Sequence, residues 1–175
     1  AVDFRNGTLT RDMIWRTPAG KRVRVSSQRM VSFVHRHLAV LTFEITLLDA
    51  AAPVVVSSQL LNRQDGEDEY HEPAQAKGAM ADPRKAGALE GRVLQPKLHL
   101  AHDDRMMLGY RCANSGMTVA VAADHLLSTD DEYEVILREH ADQTKMVFRV
   151  DAREGNTVRI VKTVAYHTSR SLPVR

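Results

Sequence analysis

An all-β fold, built as a large sandwich of two antiparallel sheets, is what this 175-residue sequence predicts. Three observations lead there. Apolar and polar residues alternate with a period of two along most of the chain, as half-buried strands require. Turn-forming residues punctuate those runs at short intervals. No segment sustains the 3.6-residue apolar period of an amphipathic helix, and about ten strand-like runs point to a sandwich.

The first two runs form a hairpin. In "TLTRDMIWR" Leu9, Met13 and Trp15 fall on one side, with Thr10, Asp12 and Arg16 opposite. In "GKRVRVSS" Val23 and Val25 alternate with Arg22 and Arg24. "TPAG" at Thr17–Gly20 supplies the proline and glycine that a tight turn uses. Next, "HLAVLTFEITLLD" sets Ala39, Leu41, Phe43, Ile45 and Leu47 on one face against Thr42, Glu44 and Thr46. "PVVVSSQLL" (Pro53–Leu61) is β-branched and opens on a proline, a position strands tolerate. "RVLQPKLHLAH" and "RMMLGYRCA" are further extended runs, and "NSG" (Asn114–Gly116) turns into "MTVAVAADHLL". "EYEVILREH", "KMVFRVDA" and "NTVRIVKTVAYHTS" complete the set, the last two joined by "REGN". Alternation alone does not order these strands within the sheets.

Between two strand runs lies a long polar stretch, "NRQDGEDEYHEPAQAKGAMADPRKAG" (Asn62–Gly87), with no apolar period. Loops longer than about 12–15 residues are usually functional or disordered.

Composition bounds the function. The length suits one domain with its own core, and the net charge of +2 is spread over scattered basic residues. With 5% aromatics and no basic–aromatic interleaving, a nucleic-acid footprint is not expected. No run approaches the roughly 20 apolar residues of a membrane helix. Cys112 is the one cysteine, which fits a reducing compartment, and its apolar surroundings make it a buried small hydrophobe.

Chemistry is sought in three places. Among the histidines, His35 and His37 sit at i, i+2 and are expected on one strand face, where they can in principle chelate. His99 and His102 flank a strand end beside Asp103 and Asp104. Neither pair has the cysteine partner or helical H-E-x-x-H spacing of a specific metal signal, so no metal or other cofactor is expected. The acidic clusters Asp65–Glu69 and Thr129–Glu134 read as solvated loops, because glycosidic acid–base pairs come from opposite sides of a sugar. His99 with Glu134 or Glu139 would suit sugar-anomer interconversion, yet no spacing selects them. Nucleophile elbows and phosphate loops are missing. The residues therefore assign no catalytic group, and any binding residues stay unknown.

The stretches "DFRNGTLTR" (Asp3–Arg11), "WRTPAGKRV" (Trp15–Val23), "RHLA" (Arg36–Ala39), "SSQLLNRQD" (Ser57–Asp65) and "AYHTS" (Ala165–Ser169) together resemble the N-terminal β-sandwich domain of glycoside hydrolase family 65, most closely its actinobacterial members. That family holds maltose, trehalose and kojibiose phosphorylases and α-glucoside hydrolases. The resemblance implies a galactose mutarotase-like supersandwich truncated at both ends, with residues 1–170 the sandwich and 171–175 the start of a linker. It implies an inverting parent enzyme whose general acid, on an (α/α)6-barrel of the same polypeptide, protonates the glycosidic oxygen while phosphate or water attacks the anomeric carbon from the other face. On that reading this chain is non-catalytic and shapes the barrel, the protein is cytoplasmic, and homodimers form. The loop 62–87 then lies near the barrel mouth, disordered in the isolated fragment, with Arg63, Asp65, Tyr70, His71 and Glu72 polar enough to meet a glucoside or an interdomain contact. A free-standing carbohydrate-binding module, or a mutarotase-like enzyme, is the alternative. The choice between hydrolase and phosphorylase, and the linkage cut, lie outside the chain.

Overall fold

The structure is a computed structural model that describes residues 1–62 and 93–170. The loop expectations for Arg63, Asp65, Tyr70, His71 and Glu72, and the linker at 171–175, fall outside the described residues. The described chain is all β, as the alternation predicts. Its strands are β1 (Val2–Asp3), β2 (Thr8–Arg16), β3 (Arg22–Val31), β4 (Leu38–Leu47), β5 (Ala52–Leu61), β6 (Leu94–His102), β7 (Arg105–Cys112), β8 (Thr118–Ser128), β9 (Tyr133–His140), β10 (Gln143–Ala152) and β11 (Thr157–Thr168).

Two antiparallel sheets form, and they are unequal. The larger has eight strands in the order β1-β2-β3-β4-β11-β8-β7-β6, and the smaller has three, β5-β10-β9. The last strand lies inside the larger sheet between β4 and β8, so the final chain segment locks the two halves of the sheet together.

The β2–β3 hairpin is as expected. Arg16 pairs with Arg22, the Thr17 and Gly20 amides close the turn at 2.8 Å each, and Gly20 takes a φ of 81° that an L side chain rarely adopts. By contrast, "REGN" does not make a hairpin, since β10 and β11 belong to different sheets. The segments after β4, β8 and β10 all cross between sheets at one end. Asp131 ties two of these crossings together. Its carboxylate accepts from Arg153 Nε at 2.6 Å, the Arg153 amide at 3.1 Å and Asn156 Nδ2 at 2.8 Å. The Asp131 side chain is fully buried, so this member of the acidic cluster 129–134 is a structural clamp and not a solvated loop residue. Burying a carboxylate is tolerated because each of these donors offsets its lost hydration.

The core lies between the sheets. Leu60 of β5, Met106, Leu108 and Tyr110 of β7, Ala123 of β8, Met146 and Phe148 of β10 and Ile160 of β11 form one cluster. Leu47, Val150, Ala152 and Val158 continue it toward the crossings. The Ala39–Leu47 face read from the alternation points the same way, since Ile45 and Phe43 pair with the buried Val158 and Ile160. On β2 the alternation does not translate into burial: Trp15 is 54% exposed and Leu9 42%. Trp15, Val23, Val25, Ile45 and Leu47 instead line an open apolar groove of about 560 Å³ alongside the first residues of β5.

Candidate functional site

The pairs singled out in the sequence do not assemble into a reactive centre. His35 and His37 lie in the connection between β3 and β4, not on a strand face. The reason is local: the Ser32 hydroxyl accepts the His35 amide at 2.8 Å, and the His35 carbonyl accepts the Leu38 amide at 2.9 Å, which together bend the chain. His102 contacts Asp103 at 3.0 Å in full solvent exposure. Glu134 faces Arg149 at 3.5 Å, and Glu139 accepts the Ala101 amide at 2.9 Å, capping the edge of β6. Among the described residues neither glutamate bonds to His99, and no group of three or more His, Cys, Asp or Glu side chains is disposed to hold a metal. Cys112 ends β7, half-buried and free.

A polar cluster that no spacing announced lies between the sheets. Ser58 of β5 projects toward the larger sheet, where His125 of β8 and Lys162 of β11 are cross-strand partners. Ser58 Oγ is 2.7 Å from His125 Nε2, and His125 Nδ1 is 3.0 Å from the Asp104 carbonyl oxygen. A carbonyl only accepts, so Nδ1 carries the proton and Nε2 is the acceptor for the Ser58 hydroxyl. Burial pushes the His125 imidazole below its ordinary value, and the Lys162 cation adds to that, against the bond from the Asp104 carbonyl. Lys162 Nζ donates to the Gln59 carbonyl at 3.1 Å, and burial lowers its pKa as well. Gln143 Nε2 holds the Gln59 side chain at 2.8 Å. Ser58, Gln59 and Lys162 open on a cleft of about 280 Å³ walled by Leu41, Phe43, Val56 and Ile160.

A second concavity, of about 640 Å³, sits at the opposite end of the larger sheet from the crossings and is lined by Val34, His35, Arg36, His37, Leu38, Ala165 and His167. Here His37 stacks on His167 at a centroid distance of 4.6 Å and meets Tyr166 edge-on at 5.4 Å. The backbone joins the same residues, because the Tyr166 amide donates to the His37 carbonyl at 3.1 Å. Phe33 closes over Gly7, where a Cβ would lie 2.8 Å from the ring. Three stretches far apart in sequence, Asp3–Gly7, Arg36–Ala39 and Ala165–Ser169, thus meet at one end. Around them the large apolar side chains Phe4, Phe33 and Val34 are 88%, 76% and 83% exposed.

The profile of the glycosyl hydrolase family 65 N-terminal domain matches residues 1–175. The chain belongs to this family. Over 174 residues it is 32% identical to an uncharacterised glycosyl hydrolase of Mycobacterium tuberculosis, a match covering 98% of this chain and 21% of that protein. It is 24% identical over 173 residues to the α,α-trehalose phosphorylase of Thermoanaerobacter brockii, covering 97% of this chain and 20% of the relative. The fold is shared with a putative kojibiose phosphorylase from the human microbiome, at a TM-score of 0.67 and 11% identity, over 95% of this chain and 18% of that one. This family 65 domain therefore spans about a fifth of the length of these relatives. The sequence stretches that resembled the family fall on its hairpin, on β5 and on the end where residues 3–7, 36–39 and 165–169 meet.

Proposed function

We propose that the chain is the accessory N-terminal domain of an inverting α-glucoside hydrolase or disaccharide phosphorylase, and that it packs on and shapes a catalytic barrel of the same polypeptide. Maltose, trehalose and kojibiose are the substrate class in view. The observation that carries this reading is one of proportion: the N-terminal family profile matches the whole chain, while the relatives are about five times longer. Inverting glycoside cleavage needs two carboxyl groups about 6.5–9.5 Å apart across a sugar-sized cavity. Asp131 and Glu139 are held by donors of neighbouring segments, Asp131 by Arg153 and Glu139 by the Ala101 amide.

The exposed aromatic and apolar end at Phe4, Phe33 and Val34 is the contact face in this reading, because burying it on a partner domain removes it from water. Hydrogen exchange compares the full-length polypeptide with the 175-residue chain. Slower exchange at residues 33–38 and 165–168 in the full-length protein is expected. Equal exchange in both would overturn the assignment of this face.

A further inference from the structure

We propose that Ser58, His125 and Lys162 form a reactive centre distinct from any glycoside chemistry, in which Ser58 is a histidine-activated nucleophile that accepts acyl groups from small, uncharged esters. Three geometric requirements of such a centre are met together. The nucleophile and its base are within hydrogen-bond reach, at 2.7 Å. The base is oriented by a second acceptor, the Asp104 carbonyl at 3.0 Å, which fixes the tautomer that leaves Nε2 free to take a proton. Ser58 also lines a cleft, which gives a small reagent a route toward it. In size, about 280 Å³ falls just below the ordinary range for small-molecule sites, and its Leu41, Phe43, Val56 and Ile160 walls suit a short acyl chain.

In the reaction, Ser58 Oγ attacks the ester carbonyl carbon as its proton passes to His125 Nε2. The negative charge on the carbonyl oxygen is offset by the Lys162 ammonium in the same cleft. The tetrahedral species collapses to acyl-Ser58, and the leaving alcohol departs with the proton from His125 Nε2. Water, activated in turn by His125, then hydrolyses the acyl-serine to the carboxylic acid and free Ser58. No oxidant or cofactor is needed.

A purely structural polar network would account for the same bonds, so the test must read reactivity. The full-length polypeptide is treated with para-nitrophenyl acetate and, separately, with diisopropyl fluorophosphate, and adducts are located by peptide mass mapping. Expected is an adduct on Ser58 that forms at least about 100-fold faster than on the neighbouring, exposed Ser57, the usual scale of general-base assistance. Ser58→Ala removes it and Ser57→Ala does not. His125→Gln slows it by a similar factor. Should that variant fail to fold, the wild-type pH profile decides instead. The labelling rate should rise with a midpoint below the 6.5 of an ordinary imidazole, since burial and Lys162 on β11 outweigh Asp124 on β8 and Asp104 in the β6–β7 turn. An unlabelled Ser58, labelling no faster than Ser57, or a rate indifferent to both His125 and pH would overturn the proposal.

Discussion

Replacing Phe148 with alanine removes a fully buried aromatic side chain from the seam between the two sheets. Phe148 is 2% exposed on β10 and belongs to the cluster with Leu60, Met106, Leu108 and Ile160, with its ring 5.8 Å from that of His125. Returning a buried phenylalanine to water costs about 2–3 kcal/mol by transfer alone. The surrounding strands are held by ladders on either side, β5 and β9, and cannot collapse fully into the space. The cavity left behind raises the total to about 3–5 kcal/mol. For a domain of this size that is a fall in Tm of roughly 6–20 °C. The assay is urea unfolding followed by far-ultraviolet circular dichroism, read as a shift in midpoint at unchanged slope. Val55→Ala, on the opposite face of the same sheet and 61% exposed, serves as the comparison and should stay within about 0.5 kcal/mol. If Phe148→Ala cost no more than Val55→Ala, the two-sheet core described here would be wrong.

Other perturbations test the joints of the fold. Asp131 is held below the ordinary carboxylate value by the Arg153 guanidinium first, with Asn156 and the Arg153 amide adding to it. A carboxylate with a depressed folded pKa stabilises above its unfolded value, and that stabilisation disappears as pH falls through the folded pKa. Asp131→Asn should therefore lower Tm at neutral pH and flatten the acid limb of Tm against pH; an unchanged acid limb would remove Asp131 as the clamp. Asp49, pulled to about 2 by hydrogen bonds from the Arg22 side chain and amide, should show that midpoint in a carbon-detected titration. In Arg22→Ala it should move back toward 3.8, and a midpoint that did not move would show the pair is not formed. Gly7→Ala places a Cβ at 2.8 Å from Phe33 at a φ of +64°, so a loss of about 1 kcal/mol or more is expected, with the Phe33 ring resonances displaced. A neutral Gly7→Ala would mean Phe33 does not pack there.

Strands were legible where apolar and polar residues alternate or a turn motif joins two runs. β4 could be read from Leu41, Phe43 and Ile45 alternating with Thr42, Glu44 and Thr46, and the β2–β3 hairpin from its turn, although Trp15 and Leu9 of β2 stay exposed. Sheet membership was not legible. "REGN" has the composition of a hairpin turn, yet the strands it joins separate into different sheets, and only the Asp131–Arg153 clamp, formed by tertiary contact, reveals why. β1 escaped notice because two residues cannot show a period; it exists through its pairing with Leu9 and Thr8. The i, i+2 spacing of His35 and His37 suits a strand face, but the Ser32 hydroxyl accepts the His35 amide and bends the backbone there. The Ser58–His125 contact spans 67 residues of sequence, and it arises because β5 and β8 face each other across the sandwich. Neither residue carries a local motif. The second serine of "SSQLL" and the histidine of "ADHLL" look like any polar residue near a core, and only the packing of the two sheets pairs them.

On the proposed function, this family 65 domain is a scaffold and the glycosidic chemistry resides elsewhere in the polypeptide. The most direct test is release of glucose and glucose 1-phosphate from maltose, trehalose and kojibiose, with and without phosphate, by the purified 175-residue chain beside the full-length protein. Turnover by the full-length protein on at least one of these sugars is expected, and none by the chain. Sustained, enzyme-dependent release by the chain alone would contradict it.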